Sequence, residues 1–152
     1  YNTHYKVLPP LRSKADNAAL LKALKEGTID TIASMHVPQD TEAKDVEFDM
    51  AEFGMLGLQT AYALVNTAVG KKLGAATLVE KLSLNARNIL GLPVPSWEVG
   101  EKADITIFDP NKEWVLKEED VLSRSKNSPF IGRSFTGKVL GIVNNGQEVI
   151  NS

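Results

Sequence analysis

Few residues in this sequence are equipped for chemistry. Two histidines, His4 and His36, and no cysteine occur among 152 residues. Without cysteine there is no thiolate nucleophile, no disulfide framework and no Cys-based zinc site, so carboxylates and imidazoles are the available metal ligands. His36 lies in TIASMHVPQ (31–39), just past an apolar stretch that reads as a buried strand. In a parallel α/β barrel the C-terminal ends of the strands form the catalytic face. A histidine there can ligate a metal, hydrogen-bond a substrate or cap a loop, and ligation needs partners that no local pattern supplies, His4 included. The mixed-charge run 40–47 that follows reads as solvated surface, because a carboxylate pair working as acid and base needs one member buried. Phe53-Gly54-Met55-Leu56-Gly57-Leu58 holds a G-x-x-G without the third glycine of a dinucleotide fingerprint or the Lys-Ser/Thr of a phosphate loop. It reads as a loop in which Gly54 lets the backbone approach a neighbour closely. Trp97 and Trp114 read as packing anchors.

The elements that position these residues change character between 92 and 100. Before that point the periods are helical. Ser13 opens a capping-box spacing with Asp16 in place of the usual Glu, and Ala18, Leu20, Leu21 and Leu24 form an apolar stripe that ends at Gly27. Residues 29–33 are short, apolar and β-branched, which predicts a strand covered on both faces. Residues 57–69 and 75–90 are predicted helices, and Pro9-Pro10 fixes an extended exit from a first strand. After the Pro/Gly-rich linker the period shortens to two. Residues 103–108 alternate and stop at Asp109-Pro110, 113–117 form a further short strand, and 138–143 with 147–150 flank Asn144-Asn145-Gly146, a hairpin signal. The string therefore reads as α/β, the last quarter of a parallel α/β barrel (1–92) followed by half of a small β-sandwich (93–152). An α+β domain of its own fits the same string.

Composition narrows the function classes. The chain is 43% hydrophobic and 24% charged with a formal net charge of -2, the mix of a globular protein with one substantial core. Its Lys and Arg are dispersed, so it has neither the basic stripe of a nucleic-acid binder nor a single-sign tail for an anionic membrane. No apolar run approaches the roughly 20 residues of a membrane span. Absence of cysteine accords with a reducing cytosol. A start at Tyr1-Asn2-Thr3-His4, without Met, suggests a fragment of something longer.

Several stretches together resemble one family. Lys6-Val7-Leu8-Pro9-Pro10-Leu11-Arg12-Ser13 is similar to the K-x-N-P-P-L-R-[ST] of dihydroorotases, and residues 27–39 (GTIDTIASMHVPQ) to their G-T-I-D-x-I-A-T-D-H-A-P-H. Residues 47–61 (EFDMAEFGMLGLQTA) resemble E-F-D-x-A-P-F-G-I-x-G-L-E-T-A, and 103–110, 125–132 and 137–139 match the family's tail in order. The resemblance covers essentially the whole chain and implies the C-terminal portion of a (β/α)₈ metal-dependent hydrolase of the amidohydrolase superfamily, plus part of a β-sandwich built from both chain ends. It further implies zinc in the complete protein, hydrolysis of the ring amide of dihydroorotate in pyrimidine biosynthesis, and a cytoplasmic location. No metal ligand is expected within these residues themselves.

The departures bear on that chemistry. Met35 stands where the resemblance places the catalytic Asp, and a thioether cannot accept a proton at neutral pH. Leu8 replaces a substrate-binding Asn, Gln39 the second His of the motif, and Glu52 the Pro before Phe53. His36, Phe53 and Gly54 remain as the substrate-binding positions. The reading is thus a catalytically silent homologue, kept for its fold and surfaces. By resemblance its partners are the missing N-terminal part and aspartate transcarbamoylase, and the uncovered apolar edges of such a fragment imply pairing with further copies of itself. Two rivals stand beside it: an active zinc-dependent cyclic amide hydrolase once joined to the missing part, and a binding module whose pocket has turned apolar through Leu8 and Met35.

Overall fold

A computed structural model describes residues 1–96 and 98–151. The reading of Trp97 as an anchor lies outside the described residues. Two compact units are present, the first made of Tyr1–Ile29, Ala33–Ala61 and Val115–Ser134, the second of Asp30–Ile32, Tyr62–Trp114 and Phe135–Ser152.

In the first unit, helix α1 (Lys14–Glu26) begins at the predicted cap. Ser13 Oγ accepts from the Asp16 N–H at 3.2 Å while the Asp16 carboxylate accepts from the Ser13 N–H at 3.0 Å, so Asp completes the box as Glu would. Gly27 ends the helix in the left-handed region at φ 77°. No residue of α1 is buried. A 3₁₀ turn covers Thr3–Tyr5 and one helical turn α2 covers Thr41–Lys44. The strands expected before Pro9 and at 29–33 do not form; what remains is one parallel bridge, His36 with Met55, and the Val37 N–H donating to Met55 O at 3.0 Å. Apolar β-branched composition reports burial, whereas a parallel strand also needs neighbouring strands from elsewhere in the chain. Ala51, Leu56, Leu116 and Val121 form the core of this unit.

The second unit carries two helical runs, 61–73 (its first residue in the first unit) and 75–89, each widened by one i→i+5 segment, at Asn66–Gly70 and Glu80–Leu84. Its sheet has the order β1 (Ile105–Val115), β2 (Ser134–Asn144), β3 (Gln147–Ile150). β2 and β3 pair antiparallel from Gly141↔Ile150 to Asn144↔Gln147, around a turn with Asn145 at φ 53° and Gly146 at φ 75°, the hairpin expected from Asn-Gly. β1 does not stop at Asp109-Pro110. Asp109 Oδ1 accepts from the N–H groups of Asn111 (2.8 Å) and Lys112 (3.2 Å), and Pro110 O accepts from Asn66, so the bend is satisfied and the strand continues at the sheet edge, where proline is tolerated. Ala63, Leu78 and Phe135 form the core here. Trp114 packs on Phe135 at 5.4 Å between centroids and donates Nε1–H to Gly137 O at 2.9 Å, the anchoring part read from sequence. Among the described residues no helix is long and apolar enough to cross a membrane.

Candidate functional site

Three loops of the first unit, 7–11, 33–37 and 53–55, enclose an apolar cavity of about 420 Å³. Leu8, Leu11, Met35, Phe53 and Met55 line it, with Gly54 in its wall and Ser34 supplying the hydroxyl. No carboxylate or imidazole is among its lining residues. Leu8 and Met35, the two apolar replacements singled out from sequence, thus share one cavity with Phe53 and Gly54. Met35 takes φ 46°, the left-handed region, with half of its surface exposed. For an unbranched apolar residue that conformation is uncommon, whereas Asp and Asn adopt it readily.

Backbone contacts fix the cavity walls. Gly54 lies at φ 137°, and a Cβ there would stand 2.7 Å from Val37 O and Cγ1. Its close approach to a neighbour is the one the sequence suggested. The Gly54 N–H donates to Lys6 O at 2.9 Å, which holds the segment carrying Leu8 beside the segment carrying Phe53. Lys6 Nζ donates to Asp49 O at 2.8 Å and stands 4.9 Å from the Phe53 ring centroid. From the other side Asn127, 3% exposed, donates Nδ2–H to Val37 O (3.2 Å) and Gly54 O (3.4 Å), and its main-chain carbonyl accepts from the Leu56 N–H.

The other positions named from sequence fall elsewhere. His36 does not line the cavity; its Nδ1 accepts from the N–H groups of Gly57 and Leu58, both at 3.2 Å, which leaves the ring proton on Nε2. Those are backbone donors ahead of the helical run 61–73, so His36 caps a loop and the helix begins later than the predicted residue 57. Gln39 donates Nε2–H to Phe53 O at 2.8 Å. Glu52 takes part through its backbone, its carbonyl accepting from Lys44 Nζ at 2.6 Å.

Lys44 corrects the reading of 40–47 as solvated surface, for it is 4% exposed. Its ammonium donates to Thr3 O (3.0 Å), Lys6 O (3.4 Å) and Glu52 O (2.6 Å), three carbonyls matching three N–H donors. Burial, and then the charge of Lys6, pull its pKa below the usual lysine value against the opposing pull of Glu52. His4, beside it, has its pKa lowered by burial first and by Lys44 second, and its enclosed Nδ1 has no hydrogen-bond partner. Both line a second, polar cavity of about 520 Å³ with Asp40, Asp45, Lys126 and Asn127. Lys44 was marked by no motif, and Asn127 only as part of the 125–132 match without a role of its own, because the burial of a polar side chain is settled by segments far away in the chain.

Zinc sites are built from thiolate, imidazole and carboxylate ligands. Among the described residues no group of three or more His, Asp or Glu side chains could hold a metal ion, and the thioether of Met35 in an apolar wall supplies neither charge nor base. The residues present do not fit that metal.

Comparison with known proteins gives the same picture of the fold. Residues 8–149 match the sequence profile of the amidohydrolase family. The dihydroorotase of Elusimicrobium minutum is 48% identical over 141 residues, covering 91% of this chain and 33% of that protein. The L-hydantoinase (dihydropyrimidinase) of Arthrobacter aurescens superposes with a TM-score of 0.85 at 31% identity, over 95% of this chain and 34% of that one. The inactive dihydroorotase-like domain of the Chaetomium thermophilum CAD-like multifunctional protein superposes at 0.65 with 22% identity, over 91% of this chain and 36% of that one, and shares the fold alone. The chain spans about a third of the length of the curated relatives it matches.

Proposed function

The chain belongs to the amidohydrolase family, and on that premise we propose that it is the C-terminal part of a cytoplasmic dihydroorotase-like protein in which hydrolysis has been lost. Residues 1–92 are its share of the barrel and 93–152 its share of the sandwich. The reading rests on one observation: the cavity that gathers Leu8, Met35, Phe53 and Gly54 has no group among its lining residues able to take a proton from water. Loss of a general base alone costs about a hundredfold or more in rate. The left-handed backbone at Met35 supports the same reading, since it is a conformation suited to a short carboxylate and now carries a thioether.

What the protein retains is a scaffold. Its exposed apolar side chains, Leu20, Ile89 and Leu90 among them, are surfaces for the remainder of a relative-length protein and for a partner. By the resemblance already drawn, that partner is aspartate transcarbamoylase.

The decisive experiment is turnover of dihydroorotate by the full-length protein, beside a Met35→Asp, Leu8→Asn, Gln39→His variant. The unaltered protein is expected to run at least about a hundredfold slower than an active dihydroorotase. Turnover at the rate of its relatives would instead establish an active zinc-dependent cyclic amide hydrolase and remove the silent reading.

A further inference from the structure

One ammonium group gathers three carbonyls around the N-terminal segment. Lys44 Nζ takes the carbonyls of Thr3 and Lys6, which flank His4, together with that of Glu52; Thr3 Oγ1 in turn donates to Lys44 O at 2.6 Å. The next link leads to the apolar cavity. Lys6 O also accepts from the Gly54 N–H, and Val7 and Leu8, immediately after, form one of the cavity walls. His4 sits inside this clasp with Nδ1 enclosed and unpartnered. A neutral ring tolerates that position by carrying its proton on Nε2. A charged ring cannot, because it must also bear a proton on Nδ1, pointing into a place with no acceptor and beside a second cation.

We infer that His4 is an acid-sensitive latch of the apolar cavity: a proton arriving at its enclosed ring nitrogen undoes the grip of Lys44 on residues 3–6 and loosens the wall at Val7 and Leu8. The charged groups around it come from every neighbouring segment: Lys44 from α2, Lys6 from its own segment, Glu52 from the loop ahead of Gly54, and Asp40, Asp45 and Lys126 from the other walls of the polar cavity. Of the side-chain types gathered here, imidazole is the one that ordinarily changes charge between about pH 5 and 7. The sign follows from burial and from Lys44, which both favour the neutral ring. The unfolded segment takes up its proton at about 6.5, before the folded one does. Attachment is therefore complete above that pH and weakens as pH falls below it.

Hydrogen exchange in the full-length protein tests this. Exchange of amides in peptides spanning 2–8 and 50–56, corrected for the intrinsic chemical rate, is read by mass spectrometry against pH, and exchange of the imidazole C2–H gives the titration midpoint of His4 itself. The amides of Lys6 and Gly54 are expected to lose about tenfold in protection for each pH unit separating the free and folded midpoints. The loss should set in near the free imidazole value, level off at the His4 midpoint, and be absent in His4→Gln. A flat profile in the unaltered protein, a loss that begins well above the free imidazole value or continues well below the His4 midpoint, or the same loss in His4→Gln overturns the inference. The midpoint comparison needs no variant, so it decides the matter even where His4→Gln folds badly.

Discussion

Met35 is the residue on which the functional reading turns, and its backbone carries information that its side chain does not. At φ 46° with its side chain half in solvent, it occupies a region that costs a residue with an apolar Cβ substituent about 1 kcal/mol or more, while Asn and Asp offset that cost through local hydrogen bonds. Met35→Asn is therefore expected to raise the unfolding free energy by about 1 kcal/mol, and Met35→Leu to leave it nearly unchanged, as measured by urea denaturation. A destabilised Asn variant would mean that the thioether makes packing contacts worth more than the strain. Gly54 behaves in the opposite sense, since any side chain there meets Val37 before solvent.

At the scale of elements, what could be read from sequence was what is settled locally. The Ser13–Asp16 box, the Gly27 stop and the Asn145-Gly146 hairpin involve groups within a few residues of one another, and each was legible in advance. The strand expected at 29–33 was not, because apolar composition signals a covered segment without naming the neighbour that would pair with it. Nor was the continuity of β1 through Asp109-Pro110, which depends on the Asp109 side chain and on Asn66 from a distant helix. Convergence of Leu8 and Met35 on one cavity came from family pattern, while its supports Asn127 and Lys44 left no trace in periodicity. Asn66 illustrates how much one such long-range polar group carries. It donates to Pro110 O at 2.9 Å and Thr136 O at 2.8 Å, joining the i→i+5 segment to two strands. Asn66→Ala leaves both carbonyls without that donor and is expected to cost about 2 kcal/mol, seen as a lowered thermal midpoint. A change of a few tenths would show that water replaces the amide at no cost.

For the molecule as a whole, the described chain covers about a third of its relatives' length and leaves large apolar side chains in solvent, Leu90 at 69% and Ile89 at 64% among them. Patches of this kind are covered in folded proteins by further chain or by partners. On the proposed reading, the full-length protein is expected to elute as an oligomer and to co-elute with aspartate transcarbamoylase at micromolar concentration in size-exclusion chromatography; separate elution would remove that partner. The glycine contacts have a consequence for which positions tolerate substitution. A methyl group at Gly57 would run into Ser34 O and one at Gly54 would stand 2.7 Å from Val37, whereas Leu8 and Met35 are 64% and 52% exposed. Replacing a rim side chain therefore meets solvent first, whereas any larger residue at either glycine forces the backbone beneath the rim to move.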